Sequence, residues 1–307
     1  MGETTTRRLL VSDEQVVVVL DTAPARELAY ADEPPAWVDT FSQMSRNGYS
    51  FSLADGAFAE LLNRRANGGI TGDQLQTIIE RLSRFLSPNL PILPGKRDLR
   101  GMLQLKGQAW DEEECRALSQ GGWDELRRCV DTEDLPRSLE KMLQQERDEW
   151  INNIIQWREK ITPLLGQDNL DGGSDGEAKR HRSDLNSKTE VVLGAMEKIQ
   201  DVEDLIIPPM SVRNHLQNRY IWRQIMRSLK HESPYNPESR GNRNDGIDTD
   251  LYRFLILPAF VVTRDNGFLG GLASIDSFQT GWFFTPEDLA AKWVTGARPV
   301  PTWPDHL

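Results

Sequence analysis

Two of the most apolar runs in this chain stop on carboxylates. Residues Val16–Leu20 read VVVVL and are followed by Asp21; Phe260-Val261-Val262 is followed by Thr263 and, two residues on, by Asp265. Asp245, Asp248 and Asp250 crowd the stretch NDGIDTD, and Glu60 lies within DGAFAELLNRR. Carboxylates that converge without a counter-charge repel, and the repulsion pushes pKa values upward. A hard cation removes the conflict: Mg2+ or Mn2+ takes oxygen ligands, keeps several waters and needs few carboxylates from the protein. An ion held in this way lowers the pKa of a bound water and steadies the attacking and leaving oxygens of a phosphodiester.

Each acid also has a plain structural use. Asp248 or Asp250 can cap a helix N-terminus and complement its dipole. Glu60 can pair with Arg64 four residues on, and Asp21 can simply begin a turn. Other chemistries find less to work with. The four histidines, His181, His215, His231 and His306, have no ligand-spaced partners, and Cys115 and Cys129 give neither a disulfide framework nor a zinc site. No Gly-rich loop followed by lysine and serine or threonine is present. A HAD-type phosphotransferase expects a second aspartate two residues after the first, where this chain has Ala23.

Stepping outward from the acids, the elements that carry them follow from pattern. A five-residue apolar run without alternation predicts a strand buried on both faces, as in a parallel sheet, with Asp21 at its carboxyl end, where ligands of such sheets gather. Pro34 to Met44 predicts a short helix and Tyr49 to Leu53 a second strand. Asp55 as N-cap, apolar spacing at Ala57, Phe58, Leu61 and Leu62, and a stop at Gly68-Gly69 predict the helix that carries Glu60. A further helix from Thr71 or Gly72 ends before Pro88, and Leu90 to Leu93 reads as a short strand. The order strand, helix, strand, helix points to βαβ units.

From Lys96 to Asn236 strand signals nearly vanish. Leu135 to Leu165 and Lys188 to Lys230 read as helices, and the polar stretch between them, 167–188, as a disordered loop. Ile247 to Leu257 then predicts a helix and Phe260 to Val262 a buried strand, so the α/β pattern returns. In the tail, Thr285 with Pro286 behind it predicts a helix start, and Trp282, Phe283, Phe284, Trp293 and Trp303 are expected to pack that tail onto the core.

The sequence VVVVLDT, then DGAFAELLNRR, then NDGIDTDLYRFLILPAFVVTRDNGFL resembles the PIN-like nucleases. That family has an aspartate ending its first strand, a glutamate in an early helix, an aspartate opening a late helix, and T-x-D or T-x-N after the following strand. The resemblance implies a three-layer α/β domain around a central, mostly parallel sheet, here interrupted by an α-helical insertion: residues 10–95 and 240–285 form the split nuclease domain, 96–239 the insertion and 286–307 a C-terminal helix and tail. By the same resemblance Asp21, Glu60, Asp248 and Asp265 fill the four acidic places and Thr263 the small hydroxyl position. Asp245 or Asp250 stands as substitute or assistant to Asp248. Compact relatives place far fewer than the roughly 140 residues found here between the second and third acids.

The resemblance implies metal-dependent hydrolysis of nucleic acid by Mg2+ or Mn2+, most simply by an endoribonuclease serving as a toxin or in RNA processing, with RNA or single-stranded DNA as substrate and an inhibitor or partner protein as a second kind of partner. A net charge of −11 argues against a nucleic-acid partner only until its distribution is seen. Thirteen acids against six bases fall between Asp111 and Glu149, whereas Leu205 to His231 contains no acid. Within the latter, Arg219, Arg223 and Arg227 at successive i+4 positions form a basic stripe suited to phosphates, or else to the acidic segment of the chain itself. No apolar stretch approaches the ~20 residues of a membrane span, and a cytoplasmic protein is expected. The competing expectation is a catalytically silent scaffold that displays the helical insertion to a protein partner.

Overall fold

An apolar run can be hidden on both faces only where layers cover it from both sides, and Val16–Leu20 is so placed. The computed structural model describes residues 8–105, 110–132, 138–165, 208–229, 233–239, 241–242 and 245–304. In it Val16–Leu20 (β1) is the middle strand of a wholly parallel sheet whose other members are Tyr49–Ala54 (β2), Ile92–Leu93 (β3), Ala259–Val262 (β4) and Phe283–Phe284 (β5). Their order across the sheet is β3-β2-β1-β4-β5. Every residue of β2 and β4 is buried, so helices lie on both faces and the architecture is a three-layer α/β one.

The chain leaves β1 for β2 on one side and reaches β4 only after the long helical segment, so the strand order reverses at β1/β4. Such a reversal opens a crevice outside the carboxyl ends of the strands. Leu20 is in register with both Leu53 and Val262. The residues that follow β1 and β4 therefore leave the sheet side by side, with Asp21 N donating to Val262 O at 3.0 Å and Thr263 N to Phe284 O at 3.0 Å.

Local signals place the helices close to where pattern predicts them. Thr22–Glu27 (α1) and Ala36–Ser45 (α2) follow β1, and Asp55–Ala66 (α3) follows β2. The N-cap of α3 is Ala54, with Asp55 as its first residue, so the helix starts one position earlier than expected. Gly68, at φ 67°, takes the left-handed conformation that ends it. Gly72–Leu82 (α4) starts on a full capping box between Thr71 and Gln74 and buries Leu75, Ile78, Ile79 and Leu82.

Lys96–Met102 (α5), Glu112–Arg128 (α6), Ser138–Leu165 (α7), Met210–Arg213 (α8) and His215–Ser228 (α9) make up the helical segment, and Asp245–Arg253 (α10) leads into β4. Asn266–Leu272 (α11) and Pro286–Val294 (α12) complete the chain, α12 starting on the Thr285 cap with proline in its first turn. The predicted loop at 167–188 and the first part of the predicted 188–230 helix, up to 207, lie outside the described residues; the described part is broken at Asn214 into α8 and α9. Among the described residues no helix is long and apolar enough to cross a membrane.

Trp123, Leu126, Trp150, Ile154 and Leu216, from the helical segment, belong to the same apolar core as the strands. Helix α7 packs against α3, α9 and α10. Its Leu143 forms a small cluster with Ala59 of α3 and Ile247 of α10, the residues immediately before Glu60 and Asp248. At Gly246 the two backbones come so close that a Cβ would lie 2.7 Å from Trp150 Cβ and 2.9 Å from Glu146 O. Beyond α10, buried Arg8 and Arg213 donate to Leu257 O and Ile256 O, taking helix-end carbonyls that have no partner of their own.

Helical Gly→Ala substitutions usually stabilise by ~1 kcal/mol, and Gly121 of α6, with nothing within 4 Å of its missing Cβ, is expected to follow that rule. Gly246→Ala is expected to do the reverse, lowering the unfolding free energy by about 1–3 kcal/mol through overpacking against α7. Urea denaturation of the two variants checks the pair; stabilisation by both would mean that α7 and α10 are not in close contact.

Candidate functional site

The side chain of Asp21 is fixed from two directions. As N-cap of α1 it accepts from Thr22 N through Oδ1 at 2.6 Å, and through Oδ2 it accepts from the Thr263 hydroxyl at 2.7 Å. Thr263 is wholly buried, and its oxygen also accepts from Asp265 N at 3.1 Å. One hydroxyl thus links the acids that end β1 and β4. Asp265 in turn caps α11, its Oδ1 accepting from Phe268 N at 2.8 Å. Capping, weighed for Asp248 or Asp250, is thus found instead at Asp21 and Asp265, the acids that follow the two central strands.

The other two expected acids have no capping bond. Glu60, on α3, does not pair with Arg64, and Asp248, on α10, makes no hydrogen bond or ion pair among the described residues. Asp21, Glu60, Asp248 and Asp265 nonetheless act on one another through their charges. Burial, with the fields of Glu60 and Asp265, pushes the Asp21 carboxyl up to about 6 against the opposing bonds from Thr263 and Thr22. Burial, followed by Asp21, Asp245, Asp265 and Glu60, pushes Asp248 up to about 8.

The two neighbours of Asp248 have separate fates. Asp250 turns away and pairs with Arg253 at 2.8 Å. Asp245 stays: its Oδ2 accepts from the Tyr235 hydroxyl at 2.7 Å, whose oxygen accepts from Trp150 Nε1 of α7 at 2.9 Å. Burial raises the Asp245 carboxyl as well. Arg264, between Thr263 and Asp265, is ion-paired to Glu27 and Glu287 and so points its charge away from the acids.

Asp245, Asp248 and Asp265 line a cavity of about 550 Å³ that Arg223 and Arg227 of α9 also line. The predicted stripe is split. Arg219 Nε donates to His215 Nε2 at 3.1 Å and lines a second cavity with Ser277 and Phe278. The reason is geometric: at 3.6 residues per turn each i+4 step advances about 40° around the helix, so residues eight apart diverge by about 80°. Pattern alone gave no sign of Tyr252 or Phe268 at this cavity, because their neighbours there are remote in sequence.

Cys115 and Cys129 are buried and unpaired, and burial lifts the Cys115 thiol to about 12, which leaves it unreactive. For a divalent ion, the donor set fits a hard cation: the acids offer only oxygen, and Asp21, Glu60, Asp248 and Asp265 have no lysine or arginine paired to them among the described residues. No group of three acid, histidine or cysteine side chains among the described residues is arranged as a ready metal cage. Set beside known proteins, the chain matches no family model, no curated protein and no solved structure.

The raised acids make a stability signature. A carboxyl that titrates near 3.8 in the unfolded chain and near 6 or 8 in the folded one contributes nothing below about pH 4, where both states are protonated. Between there and about pH 8 the unfolded chain releases protons that the folded protein retains, so these groups lower stability as pH rises. In EDTA, Tm is expected to fall from pH 5 to pH 8. Asp248→Asn is expected to flatten the fall and to raise Tm at pH 8 by about 5 °C, the equivalent of roughly 2 kcal/mol in a chain of this size. A variant less stable than the parent at pH 8 would mean that Asp248 is not held against repulsion.

Proposed function

We propose that this protein is a metal-dependent nuclease built on a PIN-like α/β domain, and that its substrate is single-stranded nucleic acid, RNA in the first instance. One observation carries the reading. The acids that end the two central strands are tied by the Thr263 hydroxyl at the point where the strand order reverses, with two unpaired carboxylates, Glu60 and Asp248, in the same electrostatic neighbourhood. Structural salt bridges and caps alone give no reason to place unpaired acids together, because each raises the charging free energy of the others.

In this reading Asp21 and Asp265 hold a Mg2+ or Mn2+ ion, with Glu60 and Asp248 completing its water shell or orienting the attacking water. Bound there, the ion supplies a lowered water pKa and charge stabilisation at the phosphodiester. Thr263 keeps Asp21 and the turn before Asp265 at a fixed separation, and Asp245, held by Tyr235, adds negative charge beside Asp248. The arginines of α9 supply positive charge for the phosphate backbone. The cation also answers the repulsion among the acids, so binding and folding are linked.

A second reading, a catalytically silent interaction scaffold, is favoured by the spacing of the acids, no three of which form a ready metal cage among the described residues. One experiment separates the two. Labelled RNA and single-stranded DNA are incubated with the protein in Mn2+ or in EDTA, beside Asp21→Asn. The nuclease reading expects cleavage in Mn2+ alone, a loss of at least 100-fold in Asp21→Asn, and a Tm increase on adding Mn2+ at pH 8. No cleavage together with no thermal shift would leave the scaffold standing.

A further inference from the structure

Arg223 and Arg227 face a cavity that also holds Asp245, Asp248 and Asp265, yet neither forms an ion pair there. Arg223 Nη1 donates to Gly271 O at 2.9 Å, and Arg227 donates to Gln224 and lies over the Tyr235 ring. Guanidinium groups left with neutral partners beside carboxylates mark a space where a separate anion can sit between the two signs of charge. The aromatic wall is suited to a base: Tyr252 and Phe268 lie with ring centroids 5.2 Å apart, and Phe268 is only half-buried.

Shape limits what enters. A cavity of about 550 Å³ falls in the ~300–1,000 Å³ range that encloses a drug-sized ligand, the scale of one nucleotide and far short of a duplex. A groove that follows a strand needs a run of cations along one face, whereas Arg219 is turned into the neighbouring cavity with His215 and Ser277. Two cations and one aromatic platform in a single cavity suit one terminal nucleotide.

We propose that this cavity binds the end of a single strand, with the terminal nucleotide's phosphate on Arg223 and Arg227 and its base against Phe268. The proposal rests on the nuclease reading for the placement of the acids and adds to it a preference for strand ends over internal segments.

The test measures binding without catalysis. A short single-stranded RNA carrying a 5′ phosphate and the same RNA ligated into a circle are titrated with the full chain in EDTA, and fluorescence anisotropy gives the affinity. The linear strand is expected to bind about tenfold more tightly. Arg223→Gln and Arg227→Gln are each expected to weaken the linear strand about tenfold and to reduce the slope of log affinity against log salt by about 0.7. Arg227 is exposed, so its variant remains informative if Arg223→Gln is poorly folded. Equal affinity for circle and line, or an Arg219→Gln variant as damaging as Arg223→Gln, overturns the proposal in favour of a track along α9. Hydrolysis in Mn2+ without preference for ends sinks this inference alone; preference for ends without hydrolysis sinks the nuclease reading alone.

Discussion

Like charges do not gather unaided, and the crevice outside β1 and β4 exists because apolar packing behind the acids holds them where their own repulsion would drive them apart. Ala59 and Ile247, the residues just before Glu60 and Asp248, meet at Leu143 of α7. Gly246 lets α10 approach α7 more closely than any larger residue would. Trp150, from the same helix, stacks on Tyr220 with ring centroids 6.0 Å apart and bonds through Tyr235 to Asp245. A helix outside the sheet thus fixes the separation between the two acid-bearing helices α3 and α10. Repulsion held in place in this way lowers stability locally.

The central strands add a different constraint. Asp21 and Asp265 each give one carboxylate oxygen to a helix N-terminus, so their directions are set by backbone geometry and not by one another. Thr263 then fixes the separation, because a single hydroxyl can donate to Asp21 and accept from Asp265 N only when both stand at hydrogen-bond distance. Capping and chemistry do not compete at these positions. At Asp21 the second oxygen accepts from Thr263, and at Asp265 the oxygen not used by the cap belongs to an exposed residue beside the cavity.

Much of this was legible before any coordinates. Valine-rich runs ending on polar residues mark parallel strands, and Thr71, Gln74, Thr285 and Pro286 carry their helix starts in their chemistry. The fifth strand was not legible: Phe283-Phe284 is two residues long, too short for any periodicity, and its aromatics read as packing for the tail. Nor was the brace. Nothing in LQQERDEW says that Leu143 reaches Ala59 and Ile247, since contacts over more than 80 residues leave no local pattern. The i,i+4 rule misled twice, pairing Glu60 with Arg64 where no pair forms and treating three arginines as one face where the helix turns the first away from the others.

The acidic segment bears on how the arginines of α9 came to be where they are. Attraction between α9 and the acids of 111–149 would be the economical use of a basic stripe. Helix α9 does pack on α7, but through aromatic stacking of Trp150 on Tyr220, while Arg223 and Arg227 keep neutral partners. Ion pairs on a surface contribute little, about 0–1 kcal/mol each, so the packing does not need them and the arginines remain available. What the fold then presents is a cavity lined by both carboxylates and guanidinium groups that form no ion pair with one another, although the charge of Arg227 acts on the Asp245 carboxyl. Under the proposed nuclease reading, a divalent ion beside the acids and a phosphate beside the arginines would be the guests that such a lining suits.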